Sequence, residues 1–205
     1  MIAKPKIYDN VEVNLEFMPI SLGGHKGVIM GVEEYTNPIS GNTSLKVSVD
    51  TAKDDTQPEY FAEQYRNDTR ADKKWSNQAI KYVSLKEDEN CVKMLKAFIT
   101  SVENSNNGFT YDWDKETDQL KGKKVGLVFG LEEYTNNAGE TKTIVKLNHF
   151  RSIDKVAETK IPRVKLLDNS FMDYEEYKNK PQSNTATDVF GSGVVEVSEN
   201  LPFEI

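Results

Sequence analysis

Side chains able to do covalent or metal chemistry are few in this sequence. It has two histidines, His25 and His149, and one cysteine, Cys91. No Cys/His spacing of the zinc-site kind occurs. Cys91 falls at an apolar position of a helical pattern, which reads as core. Carboxylates are adjacent at Glu33 and Glu34 and again at Glu132 and Glu133. Neighbours on a strand point to opposite faces, so neither pair makes a convergent catalytic couple. A metal would need one glutamate from each pair to meet across the molecule, and no metal, cofactor or catalytic residue is expected. The glycines of GVIMGV at residues 27–32 sit in a strand pattern, without the strand–loop–helix context of a phosphate-cradling loop. The chemistry left is that of binding.

Cations and aromatic rings are interleaved in two blocks. Residues 64–86 hold Tyr65, Arg66, Arg70, Lys73, Lys74, Trp75, Lys81 and Tyr82. Residues 141–165 hold Lys142, Lys146, His149, Phe150, Arg151 and Arg163. A cationic groove with stacking faces is what a single strand of nucleic acid needs. The overall charge of −7 argues against such a partner, but the charge is segregated. The blocks carry +4 and +5, while residues 87–118 and 169–205 carry −5 each. That distribution permits a polyanion without requiring one. The candidate contacts for single-stranded DNA are Tyr35, Lys46, Tyr65, Arg66, Arg70, Lys73, Lys74, Trp75, Tyr82, Tyr134, Lys142, Lys146, Phe150 and Arg151.

The elements that must position them follow from periodicity. Residues 11–18 alternate apolar and polar and predict an N-terminal strand. Residues 27–35 and 44–50 predict a hairpin about the turn TNPISGN, and residues 80–84 a short strand. Between the hairpin and that strand, Phe61 and Tyr65 at helical spacing after Pro58 suggest a short helix. Leu85, Val92, Leu95, Phe98, Ile99 and Val102 predict a longer one, with Ser84 and Glu87 in a capping-box pattern and Gly108 as the stop. Residues 123–134 and 143–151 predict a second hairpin, about TNNAGET.

The two hairpins share a motif. GVIMGVEEYTN at residues 27–37 recurs as GLVFGLEEYTN at residues 126–136, with seven of eleven positions identical. A duplicated domain would repeat the long helix near residues 184–203, where the sequence is polar instead. One hairpin is repeated, not one domain. The resulting order is strand, strand, strand, helix, strand, strand. It is the order of an OB-fold, a five-stranded Greek-key barrel whose first and last loops flank the ligand groove. Gly27, Gly31, Gly126 and Gly130 would permit the strand bends that a small barrel demands.

The expected fold is therefore mainly β. It consists of an OB-fold barrel with one helix between the third and fourth strands, an extra N-terminal strand, and a disordered C-terminal tail. Residues 1–168 form the domain and residues 169–205 a flexible acidic tail. The tail ends in Glu199, Leu201, Pro202 and Phe203, followed by Glu204 and Ile205. It is similar to the C-terminal tips of bacterial single-stranded-DNA-binding proteins, which dock an apolar Pro-Phe pair on partner proteins. Those tips end in Phe, and here two more residues follow.

A second resemblance covers residues 20–165. YFAEQYRNDTRADKKW, LKAFITSVENSNNGFTYDWD, LKGKKVGLVFGLEEYTNNAGETKT and FRSI resemble a family from the early replication and recombination regions of phages of Gram-positive bacteria. Some of its members are regarded as single-stranded-DNA-binding proteins. The resemblance implies an OB-type, non-enzymatic role in phage DNA replication or recombination, with little sequence preference. The acidic tail would recruit replication or recombination proteins. The alternative is an OB-fold protein-interaction module without nucleic-acid binding. No membrane span or export signal is expected, which points to the cytoplasm of an infected host. Oligomeric state stays open, a homo-oligomer included.

Overall fold

The computed structural model describes Lys4, Lys6 and residues 18–180. The strand expected at 11–18 falls outside them apart from Met18. So does the tail from residue 181, including Glu199, Leu201, Pro202 and Phe203.

The architecture is mainly β: the described residues form a seven-stranded sheet with three helices and short 3-10 turns. Strand β1 (Gly23–Thr36) is long because it serves two partners. Its first part, Gly23 to Val28, pairs antiparallel with β4 (Lys124–Thr135). From Gly27 to Thr36 it pairs with β2 (Thr43–Thr51). The register of β1 against β2 shifts between Ile29 and Gly31, leaving Met30 as an extra residue. This bulge lets Ile29 and Val32, three residues apart, both be buried. β2 continues to β3 (Ile80–Ser84), and β4 pairs from Gly126 to Thr135 with β5 (Thr141–Arg151).

Five strands thus pair in the order β3-β2-β1-β4-β5. The sheet is open, since no backbone ladder joins β3 to β5 among the described residues. A side chain crosses that seam instead: Gln78 Nε2 donates to the Val145 carbonyl at 2.9 Å.

Two further strands come from residues with no period to read. β6 (Val164–Lys165) pairs parallel with β4 at Glu132, and β7 (Phe171–Met172) pairs with β6. Helix α3 (Tyr174–Asn179) follows. The stretch from 169 to 180, expected to begin a flexible tail, therefore carries a strand and a helical turn and a half. Phe171 and Met172 are too few to show alternation, and their partner lies far away in sequence.

Helix α1 (Tyr60–Asn67) has no cap of its own, since Glu59 before it makes no side-chain cap bond. Buried Asp50 of β2 supplies one. Its carboxylate accepts from the Phe61 and Ala62 amides at 2.9 and 3.2 Å. Phe61 enters the core 5.8 Å from Phe129, ring centroid to centroid.

Helix α2 (Glu89–Ser105) starts later than the capping-box pattern suggests. Asp88 is its N-cap, accepting from the Cys91 amide at 3.0 Å, while Ser84 accepts from the Lys86 amide in the preceding turn. A single-residue Asp cap serves as well as a box, and Leu85 is held outside the helix by its amide bond to the Thr43 carbonyl. Cys91 consequently lies in the first helical turn, half-buried, not in the core. Phe98, Ile99 and Val102 of α2 are buried with Val47, Val83, Phe129 and Leu147.

The copied glycines answer different needs. A Cβ on Gly27 would stand 2.4 Å from Leu127 Cγ, and one on Gly126 would stand 2.3 Å from Val156 Cγ1. At those two positions close packing excludes a side chain. Gly31 sits at the bulge with open space beside it.

Candidate nucleic-acid interface

The copied turns are built alike by their asparagines. Asn37 Oδ1 accepts from the amides of Ile39 and Ser40. Asn136 Oδ1 accepts from those of Ala138 and Glu140. Each turn closes through a glycine of positive φ, Gly41 at 68° and Gly139 at 80°. The terminal Asn of the repeat is thus a turn organiser, in keeping with the side-chain-to-backbone bonding of asparagine.

Beside the first turn, three strands bring three of the predicted contacts together. Tyr35 of β1 pairs with Ser44, Lys46 of β2 with both Glu33 and Tyr82, and Tyr82 is on β3. Alternation places Glu33, Tyr35, Lys46 and Tyr82 on one face. The Tyr35 and Tyr82 rings are 5.2 Å apart and tilted by 56°. Tyr82 is 47% exposed. Lys46 Nζ donates to Glu33 Oε1 at 2.5 Å. That bond, working against burial, raises the lysine pKa above its ordinary value. A phosphate at Lys46 would have to compete with Glu33. An open pocket of about 500 Å³ adjoins the tyrosines, lined also by Asn42, Ser84, Lys86 and Cys91. Polar groups beside paired tyrosine rings suit the edges and faces of a nucleobase. None of these four was a predicted contact; Lys86 and Cys91 reach the pocket because α2 begins only at Glu89.

A second aromatic–cationic group lies toward the other end of β2. Tyr65 and Trp75 rings are 5.8 Å apart, and Lys73 Nζ stands 4.7 Å over the Tyr65 ring. Trp75 Nε1 donates to the Val49 carbonyl at 3.1 Å, so the indole is anchored to the sheet and half-buried. Arg70 makes a two-pronged pair with Asp68, which holds the Asp68 pKa down at about 2. Arg66 and Lys74 are exposed. From Ser44 to Val49 is about 17 Å along a strand, with Lys46 between the two groups.

The second hairpin contributes differently. Tyr134 is exposed at its end opposite Lys142, and no ring contact joins it to Tyr35 among the described residues. Its neighbours are engaged elsewhere. Glu132 pairs with Lys146 at 3.4 Å. Glu133 accepts from the Tyr177 hydroxyl at 3.0 Å and the Leu167 amide at 3.2 Å. Arg151 is exposed where β5 ends. Phe150 is a correction: it is buried against Phe98 at 4.6 Å and offers no face for stacking. Alternation with His149 alone leaves the facing undecided; the contact with Phe98 of α2 decides it.

Buried His25 bonds Asp55 Oδ2 through Nδ1 at 2.8 Å and lies 3.0 Å from the Ser21 hydroxyl through Nε2. The same Asp55 accepts from the Lys26 and Gln57 amides. Burial raises the Asp55 pKa, but the bonds from His25 and the two amides outweigh it and leave the carboxyl below its ordinary value. The trio pins the turn at 52–57 to the start of β1. Among the described residues no helix is long and apolar enough to cross a membrane. No protein-family model matches this chain, and no curated protein matches it in sequence.

Proposed function

We propose that this chain is a single-stranded-DNA-binding protein acting in phage DNA replication or recombination, in the cytoplasm of the infected host. The observation that carries the reading is the row Tyr35, Lys46 and Tyr82 on one face beside an open pocket. Bases stack on the tyrosines and phosphates meet Lys46 and the exposed cations, with little sequence preference. The Tyr65, Lys73 and Trp75 group extends the path along β2. The pairing order β3-β2-β1-β4-β5, with α2 between β3 and β4, supports an OB-type Greek-key barrel as the scaffold. No catalysis is proposed. The acidic end of the chain, with Leu201, Pro202 and Phe203, recruits partner proteins.

A protein-interaction module is the second reading, favoured by Val92 and Met94, both about half exposed on α2. Titration of labelled dT oligomers separates the two. Affinity should fall with salt by about 0.7 log unit per log unit for each phosphate contacted. Absence of binding at low salt would sink the DNA reading. Removing residues 188–205 should leave or improve DNA affinity; a large loss would refute a recruiting role for that segment.

A further inference from the structure

The seam between β3 and β5 gathers cations that the stacking face does not use. Lys81 of β3 is opposite Val47, so it points away from the face carrying its neighbour Tyr82. Lys146 of β5 is opposite Gly130, and Lys165 of β6 is opposite Glu132. His149 and Arg151 follow on β5. β5 runs beside β3 and the turn at 77–79, where Gln78 holds the Val145 carbonyl.

Lys81 is half-buried and makes no hydrogen bond or ion pair among the described residues. Burial is the main cause lowering its pKa; the Glu132 carboxylate opposes it, and Lys146 and Lys165 lower it further. Glu132 is the carboxylate that acts on it, and Glu132 is already paired with Lys146. His149 is lowered by burial and by the charges of Arg151 and Lys81. Like charges held together in partial burial are relieved by a bound anion, and several N–H donors from different strands suit the oxygens of a phosphate.

We propose that the β3–β5 seam is a phosphate-binding site, with Lys81 as its central ligand and Lys146 and Lys165 flanking it. Identifying the natural anion as a DNA phosphodiester rests on the function proposed above; the anion chemistry does not. β3 ends the row of laddered strands. A nucleotide crossing the seam where β3 has no laddered neighbour would set a base against Tyr82 and a phosphate against Lys81.

Inorganic phosphate added at constant ionic strength tests the site through the His149 ring resonances. These should shift, with the His149 pKa rising as phosphate binds. The response should vanish in Lys81→Gln and persist in Lys81→Arg. A His149 ring indifferent to phosphate in the unmodified protein overturns the site. With dT oligomers, Lys81→Gln should lower the salt slope by about 0.7, whereas Tyr82→Ala should weaken binding and leave the slope unchanged. A phosphate response with an unaltered slope in Lys81→Gln overturns the DNA path and assigns the seam to a free phosphate anion. Failure of the unmodified protein to bind dT would instead sink the proposed function while the phosphate response stayed readable.

Discussion

Tyr177 donates its phenolic proton to Glu133, 44 positions earlier in the chain, at 3.0 Å. The bond ties α3 to the second copy of the Glu-Glu-Tyr motif, and Glu133 also takes the Leu167 amide. Burial first, and then the Glu133 carboxylate, push the Tyr177 pKa up to about 12. The folded state therefore keeps a proton that the unfolded chain loses near 10. Stability from this group is complete below that value and declines as pH rises towards 12. Tyr177→Phe should cost about 1 kcal/mol at neutral pH and should flatten the alkaline decline in urea melts. An unchanged alkaline limb would refute the assignment.

At the stacking face, Tyr35→Ala and Tyr82→Ala should each weaken dT binding, by about 1–3 kcal/mol if a base stacks on that ring. Because the rings touch, the double variant should lose less than the sum of the singles. Phenylalanine at either position should restore most of the affinity. Fluorescence anisotropy with dT oligomers reads all five variants.

The two turns should separate stability from binding. Asn37→Ala and Asn136→Ala each remove two side-chain-to-backbone bonds and should each cost about 1 kcal/mol in thermal melts. Only Asn37 lines the pocket beside Tyr35 and Tyr82. Its variant should therefore lose more dT affinity than Asn136→Ala; equal losses would argue that both turns face the strand.

The copied glycines should differ as well. Gly126→Ala puts a methyl against Val156 and the Arg151 carbonyl, with contacts of 2.3 and 2.7 Å, and overpacking of this kind costs about 1–3 kcal/mol. Gly31→Ala meets open space and should fall within about 0.5 kcal/mol of the parent. Chemical denaturation of the two variants compares them directly.

Both hairpins, β3 and the two longer helices were legible because each satisfies a local period. What was not legible depends on partners distant in sequence. Asp50 looks like one polar residue of an alternating strand, yet it caps α1 eleven residues on. Phe150 and His149 are neighbours in a strand end, and only the packing of Phe150 on Phe98 tells which faces inward. β6 and β7 are two residues each and carry no pattern at all. In the candidate site, Tyr35, Lys46 and Tyr82 were nameable from composition, but their convergence needed the register. Lys81 looked like one more surface cation until the approach of β5 put Lys146 and His149 beside it.

β1 has one more consequence. Gly27 and Val28 have partners on both sides, Thr51 and Asp50 in β2 and Val125 and Lys124 in β4. Neither hairpin can be peeled away without exposing backbone that the other still holds. The overlap works as a two-residue rivet, and its amides should be among the last in the molecule to exchange with deuterium. A chain cut between the hairpins should yield halves that recover slow exchange only when mixed.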